Sequence, residues 1–125
     1  MPEWKVVNDE GKNVIAQLSS GQQENHFNLF IWDKEQYRDV SLEVKFKAME
    51  GTEDRGGGLV WRYIDRDNYY IARANPLENN FRVYKVVNGN RKTLASANID
   101  MQSGIWITLS ITMKGNLIEC YYKKL

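Results

Sequence analysis

Hydrophobic and polar residues alternate with a period of two along most of this chain, and helical periodicity is almost absent. The alternation is clearest from Val40 to Lys47 and from Ile105 to Lys114. A period of two is typical of a β-strand with one buried face and one solvated face. Both segments are therefore predicted to be half-buried strands.

Further short runs have the same character and are separated by turn sequences. They lie at residues 4–7, 13–18, 26–32, 58–63, 68–74, 80–87, 91–97 and 116–123. Asn88-Gly89 predicts a tight hairpin turn, because both residues tolerate positive φ, and Lys114-Gly115 has the same role before the last strand. Short strands with turns every 8 to 12 residues or so favour an antiparallel sandwich or barrel over a parallel α/β sheet.

Length and composition indicate one globular domain spanning residues 1–125, since 125 residues with 42% hydrophobic and 26% charged side chains can build one core. The net charge of +1 disfavours nucleic acid and anionic membranes as partners. The sequence shows no signal peptide and no apolar run of about 20 residues. We expect a soluble protein, either cytoplasmic or secreted with its leader absent.

Four segments in order carry a family resemblance: GGLVWRY, DRDNYYIARAN, NNFRVYKVVNGNRKTLA and SGIWITLSITMKGNLIECYY. Together with a G-x-W-x-x-L strand at 104–109, they resemble the concanavalin A-like lectin/glucanase superfamily. Within it, the chain is most similar to laminin G-like and 3-keto-disaccharide-hydrolase-like β-sandwich modules. The resemblance covers the chain from about Phe27 and implies a two-sheet, jelly-roll β-sandwich. It implies little about activity, because the matched residues lie mainly in strands and turns.

The sequence departs from these relatives after residues 116–124, where they continue with a turn and about three more strands. Either the sheets close differently here or terminal strands are lacking. Missing strands would expose strand edges and apolar area that an identical chain could cover. We therefore expect a homodimer or strand exchange.

Catalytic and metal-binding patterns are largely absent from the sequence. The glucanases that the chain resembles use alternating carboxylates, E-x-D-x-x-E, on one strand, and no such run occurs. Glu50, Glu53 and Asp54 fall in a glycine-rich turn that favours a solvated loop. One cysteine, Cys120, and one histidine, His26, disfavour zinc, and Cys120 is predicted to be a buried small hydrophobe.

Two loops remain as weaker candidates for ligand binding. Residues 65–68 (Asp-Arg-Asp-Asn) carry oxygens suited to Ca²⁺ but lack the EF-hand spacing, which favours a turn held by its own side chains. Residues 56–58 are three glycines without the Gly-Lys-Ser/Thr of a phosphate loop. These glycines predict a bulge or a close entry into the next strand. No cofactor is expected, and calcium is a weak alternative.

One face of three neighbouring strands is the candidate binding site. If residues 58–63, 68–75 and 80–87 pair in antiparallel order, one face collects six polar and aromatic residues: Arg62, Tyr69, Arg73, Asn75, Arg82 and Tyr84. An aromatic ring can contact the apolar face of a sugar, while Arg and Asn bond its hydroxyls. The alternative is an outer sheet face on which Arg and Tyr pair across strands.

The tryptophans divide differently between core and surface. Trp61 and Trp106 are predicted to lie in the core, and Trp32, beside Asp33, is the tryptophan least expected to be buried.

The predicted function is a non-catalytic carbohydrate-binding module. Two alternatives stay open: an enzyme acting on glycosides without paired carboxylates, and a protein-interaction or scaffold module.

Overall fold

The structure is a computed structural model that describes residues 4–18, 29, 31, 37–49 and 56–124. These residues form nine β-strands: β1 (Trp4–Asp9), β2 (Lys12–Gln17), β3 (Val40–Lys47), β4 (Gly57–Asp65), β5 (Asn68–Asn75), β6 (Asn80–Val87), β7 (Asn90–Asn98), β8 (Trp106–Lys114) and β9 (Leu117–Lys124). All pairings between them are antiparallel. The all-β prediction is confirmed, while most of the strand predicted at 26–32 lies outside the described residues.

The chain divides into two compact units, Met1–Trp32 and Asp33–Leu125. In the first unit β1 and β2 pair as a hairpin, and its turn places Glu10 and Gly11 at φ of 50° and 88°. The Gly11 N–H donates to Asn8 Oδ1 at 3.1 Å, which closes the turn. That residues 1–125 form a single domain stays a prediction.

The second unit is built from two antiparallel sheets, one in the order β3-β8-β9 and the other in the order β4-β5-β6-β7. The apolar residues of the alternating strands form one buried core cluster from both sheets: Trp61, Ala72, Ala74, Phe81, Val83, Met101, Ile107, Leu109, Ile111 and Met113. The predicted β-sandwich is confirmed. Among the described residues, none forms a helix long and apolar enough to cross a membrane.

The two predicted core tryptophans differ in position. Trp61 is 3% exposed, and its indole N–H donates to Met113 Sδ at 3.2 Å. Trp106 is outside the core cluster, and the Nζ of Lys47 lies 5.3 Å from its ring centroid. The core prediction for Trp106 was wrong because Ile107, its neighbour on β8, occupies the buried face and the alternation turns Trp106 to the other side. Trp32 and His26 lie outside the described residues.

Close packing explains the glycines at the start of β4. A Cβ on Gly58 would collide with the carbonyl oxygen of Ala72 on the paired strand, and one on Gly57 would meet the ring of Phe46 at 2.5 Å. Larger residues would therefore push β4 away from β5 or from Phe46. The predicted close entry into this strand is confirmed.

The predicted hairpin at Asn88-Gly89 is also present, and it is tied to its neighbour. Asn88 and Gly89 have φ of 51° and 79°. The Asn88 N–H donates to Asn68 Oδ1 at 3.1 Å, and the Gly89 N–H donates to the Asp67 carbonyl at 3.0 Å. The β4–β5 and β6–β7 turns therefore hold each other at one end of the sheet.

At the sheet edges, no described strand pairs with the outer side of β7 or β9. All nine residues of β7 are exposed. The homodimer stays a prediction.

Candidate functional site

Five of the six predicted site residues share one face of the four-stranded sheet, which we call the second face because it is turned away from the core cluster. Tyr69, Arg73 and Asn75 alternate on β5 with the core residues Ala72 and Ala74.

Arg82 and Tyr84 alternate on β6 with the core residues Phe81 and Val83. The register places Arg73 opposite Arg82 and Ile71 opposite Tyr84. The grouping predicted for these two strands is confirmed.

Arg62 does not belong to this group, because the pairing of β4 with β5 is irregular between Trp61 and Asp65. Arg62 has a φ of 47°, and its guanidinium carbon lies 6.0 Å from the ring centroid of Tyr70, which pairs with the core residue Trp61. The prediction that Arg62 shares a face with Arg73 was wrong, since the bulge reverses the alternation.

Arg62 instead connects three parts of the second unit. Its Nε donates to the Arg38 carbonyl at 2.6 Å, and its Nη2 donates to the Gly115 carbonyl at 2.8 Å. Asp39 lies 3.5 Å from the same Nη2 and accepts the Gly115 N–H at 3.0 Å. The side chain therefore joins β4 to the residues before β3 and to the β8–β9 turn.

The same bulge moves Tyr63 to the second face, where simple alternation would not have placed it. The rings of Tyr63 and Tyr69 stack with centroids 5.9 Å apart. Burial raises the pKa of Tyr69, because the phenolate would lose hydration. Tyr69 is therefore a packed, neutral aromatic residue.

Most of the second face is buried, which corrects the prediction of an accessible binding surface. Tyr69, Arg73, Asn75 and Tyr84 are 6%, 7%, 0% and 2% exposed. Arg73, Asn75 and Tyr84 each take part in at least one polar, ionic or ring interaction besides those given below. Of the five predicted residues on this face, Arg82 is the half-buried one.

Tyr84 lies between cations from both neighbouring strands. The guanidinium carbons of Arg73 on β5 and Arg91 on β7 lie 5.8 Å and 5.0 Å from its ring centroid. Arg73 Nη2 also donates to the Tyr84 hydroxyl at 3.5 Å. Cation–π contacts of this kind occupy an aromatic ring. Tyr84 thus packs the arginines and does not offer a free ring to a sugar.

A polar group forms where β5 and β6 meet their connecting loop, and we call Arg73, Glu78, Asn80 and Arg82 the loop cluster. Arg73 Nη2 lies 3.8 Å from Glu78 Oε2, and Asn80 Nδ2 donates to that oxygen at 3.1 Å. The Glu78 side chain is 44% exposed, whereas that of Arg73 is 8% exposed. One hydrogen-bond donor, Asn80, and one nearby cation, Arg73, thus orient a carboxylate that still faces solvent.

The loop that carries Glu78 is shaped by the last residue of β5. Asn75 Oδ1 accepts the Leu77 N–H at 3.0 Å, which is the side-chain turn that Asn favours. Glu78 and Asn80 were not predicted as site residues, because strand alternation does not show which loop side chains approach the sheet. The available signal was position, since the loop directly joins the strands that carry Arg73 and Arg82.

Arg82 completes the loop cluster on the next strand. Its Nε donates to Ser96 Oγ at 3.2 Å, which leaves the two terminal nitrogens of its guanidinium for other acceptors. Asn80 Oδ1 is a buried acceptor with no hydrogen-bond donor among the described residues. The cluster therefore offers both donors and acceptors within two strands and one loop.

The calcium candidate at 65–68 is arranged as a turn. Asp65 Oδ1 accepts the Asp67 N–H at 2.8 Å and Asn68 Nδ2 at 2.9 Å. These hydrogen bonds lower the pKa of Asp65, and the one from Asn68 has the largest effect. No group of three or more His, Cys, Asp or Glu suited to a metal occurs among the described residues. The side chains thus hold the turn, and calcium at this turn stays a prediction.

Cys120 packs against the core as predicted but is only partly buried. The thiol is half-buried on β9 and packs against the core cluster. Burial raises its pKa to about 11. A thiol with this pKa is protonated at neutral pH and is a poor nucleophile.

A structure search gives one neighbour of the same fold. The chain is similar to the carbohydrate-binding module CBM66 from Bacillus subtilis, with a TM-score of 0.69 and 17% sequence identity. The match covers 99% of this chain and 71% of the neighbour. No family model matches the chain, and no curated protein matches it. At this identity the likeness establishes the shared β-sandwich fold.

Proposed function

We propose that this β-sandwich is a non-catalytic carbohydrate-binding module and that the loop cluster contacts the sugar. The observation that carries the proposal is the Glu78 carboxylate, oriented by Arg73 and Asn80 and 44% exposed. A carboxylate accepts two sugar hydroxyls, and a neighbouring guanidinium donates to them. Arg82 supplies that guanidinium from the adjacent strand.

The partly buried setting supports this role in two ways. Charge-assisted hydrogen bonds are shorter and stronger than neutral ones, and a fixed carboxylate loses little conformational entropy when a ligand binds. Arg73 is nearly buried and paired, so its role in the proposal is to position Glu78. This differs from the sequence prediction, in which Arg73 itself contacts the sugar.

The similar solved structure gives independent support, because CBM66 is itself a carbohydrate-binding module. Fold alone does not specify a ligand, so the proposal depends on the loop cluster.

The test is a glycan array with the wild-type protein, followed by calorimetric titration of the strongest hit. We expect Glu78→Gln to weaken binding about tenfold or more, because the charge-assisted bonds to hydroxyls are lost while the shape of the side chain is kept. Arg82→Gln should weaken it by a similar factor.

The matched control is Lys123→Gln, which changes an exposed charge on the other sheet and should leave affinity unchanged. Circular dichroism of each variant checks the fold. Binding that survives both Glu78→Gln and Arg82→Gln would move the sugar elsewhere. A glycan that is cleaved during the titration would contradict the non-catalytic role, and an array without any hit would contradict carbohydrate binding.

A further inference from the structure

The opposite end of the four-stranded sheet holds an open cleft of about 190 Å³, which we call the turn cleft. Its lining includes Arg62, Ile64, Asn68, Tyr70, Lys85 and Val87, from β4, β5 and β6. On β5 and β6, Asn68, Tyr70, Lys85 and Val87 alternate in step with the core residues. The core face of this sheet thus continues into an open surface near its turns.

The floor of the turn cleft is apolar and aromatic. Tyr70 stacks on Trp61 with ring centroids 5.9 Å apart, which fixes its ring against the core. Ile64 and Val87 are 75% and 44% exposed. Exposed apolar side chains beside a fixed aromatic ring form the kind of surface that a ligand with a C–H face can cover.

Positive charge surrounds this floor. The Nζ of Lys85 lies 5.3 Å from the ring centroid of Tyr70. Lys85 pairs in register with Lys92 on β7, and both side chains are exposed. Two like charges opposite each other are unfavourable unless an anion lies nearby. None of the described residues that line the cleft is acidic.

The two cations of the lining differ in availability. Arg62 is directed at two backbone carbonyls and at Asp39, so its charge is partly balanced. Within the part of the chain that the structure describes, no carboxylate pairs with Lys85. Lys85 is therefore the cation that can take an anionic group of a ligand.

We infer that the turn cleft binds the uronate unit of an acidic glycan. The carboxylate contacts Lys85, and the C–H face of the ring lies against the exposed side chains of Ile64 and Val87, since the Tyr70 ring already packs between Trp61 and Lys85. At about 190 Å³ the cleft is smaller than the 300 to 1,000 Å³ or so that drug-sized ligands occupy, which suits a single ring. The inference rests on the proposed carbohydrate function but uses residues separate from the loop cluster.

The experiment compares trigalacturonic acid with the neutral trisaccharide galactotriose in NMR titrations of the isotope-labelled protein. We expect trigalacturonic acid to bind more tightly and to shift the amide signals of Ile64, Lys85 and Val87. Lys85→Gln should weaken its binding about threefold to fivefold, the upper part of the range for one exposed charge pair. The preference for the acidic sugar should also decrease at 1 M salt.

Lys123→Gln is again the matched control and should keep the wild-type affinity for trigalacturonic acid. Equal binding of the two trisaccharides, or no effect of Lys85→Gln, would overturn the inference. A titration with free galacturonic acid distinguishes failure of this inference from failure of the proposed function. If every array glycan fails to bind but galacturonic acid shifts the turn-cleft signals, the cleft stands and the module proposal fails. If galacturonic acid also leaves these signals unmoved, both fail.

Discussion

The two ends of β5 and β6 hold their cations in opposite ways. At the loop end, Arg73 is 7% exposed, lies 3.8 Å from Glu78 and packs on Tyr84. At the turn end, Lys85 is exposed over Tyr70 and opposite another lysine. Arginine suits the first position because its planar group can stack and bond at once, and lysine suits the second because its ammonium stays hydrated.

The difference shows how one sheet can separate stability from recognition. A buried charge needs partners, so its removal leaves partners unsatisfied and destabilises the fold. An exposed charge contributes little to stability and remains available to a ligand. We therefore expect substitutions at the loop end to affect unfolding as well as binding, and Lys85 to affect binding alone.

The largest expected effect is on Arg73. Arg73→Ala should lower the free energy of unfolding by about 2 to 3 kcal/mol, because it removes the partner of Glu78 and the packing against Tyr84. Lys85→Ala should change it by less than about 0.5 kcal/mol. Urea denaturation of the wild type and of the two variants measures both changes in the free energy of unfolding. Equal losses at the two positions would remove the contrast between the ends of the sheet.

A second variant separates charge from packing at the loop end. Arg73→Met keeps much of the apolar stem of the side chain and should recover part of the lost stability. If Arg73→Met were as unstable as Arg73→Ala, the ion pair and hydrogen bond would dominate, and the ring contact with Tyr84 would contribute little.

Alternation along β5 and β6 predicted the faces of these strands, because their pairing has no irregularity. The same reasoning was wrong at Arg62, where the bulge depends on contacts with Arg38 and Gly115 that are 24 and 53 residues away. The residues next to Arg62 in the sequence therefore do not predict the bulge.

The alternation of hydrophobic and polar residues also did not predict that the second face is buried. Alternation shows which residues share a face, whereas tertiary packing decides whether that face is accessible. Glu78 illustrates the remaining difficulty, since its role depends on the path of a loop and on a distance to Arg73. The fold could thus be predicted from the sequence, but the accessible part of the candidate site could not.

The next effect in size concerns the bulge at the turn end. Arg62→Ala should lower the free energy of unfolding by about 2 kcal/mol, since two hydrogen bonds to backbone carbonyls are lost. Arg62→Gly should be more stable than Arg62→Ala by about 1 kcal/mol, because glycine adopts the positive φ of 47° without steric cost. Thermal and urea unfolding of the two variants measure this order.

Arg66→Ala is the control for the bulge, since Arg66 is exposed in the adjacent turn. It should change the free energy of unfolding by less than about 0.5 kcal/mol. An Arg62→Gly variant less stable than Arg62→Ala would show that the bulge does not constrain the backbone in the way that its φ indicates.

The smallest effect is electrostatic and lies in the β4–β5 turn. The hydrogen bond from Asn68 and the Asp67 N–H hold the pKa of Asp65 below its ordinary value of 3.8. A carboxyl group whose pKa is lower in the folded state contributes stability above its unfolded pKa, and that contribution is lost as the pH falls through the folded value. We therefore expect NMR titration to give Asp65 a pKa below 3.8.

Asn68→Ala removes the largest cause of this shift and should raise the pKa of Asp65 towards 3.8. Ser96→Ala, which changes the partner of Arg82 at the other end of the sheet, should leave it unchanged. A pKa of Asp65 that responds equally to both substitutions would mean that the two ends are coupled through the strands. If the pKa of Asp65 responds to Asn68→Ala alone, it depends only on residues at its own end of the sheet. The charges at the loop end, around Arg73, and at the turn end, around Lys85, then act independently.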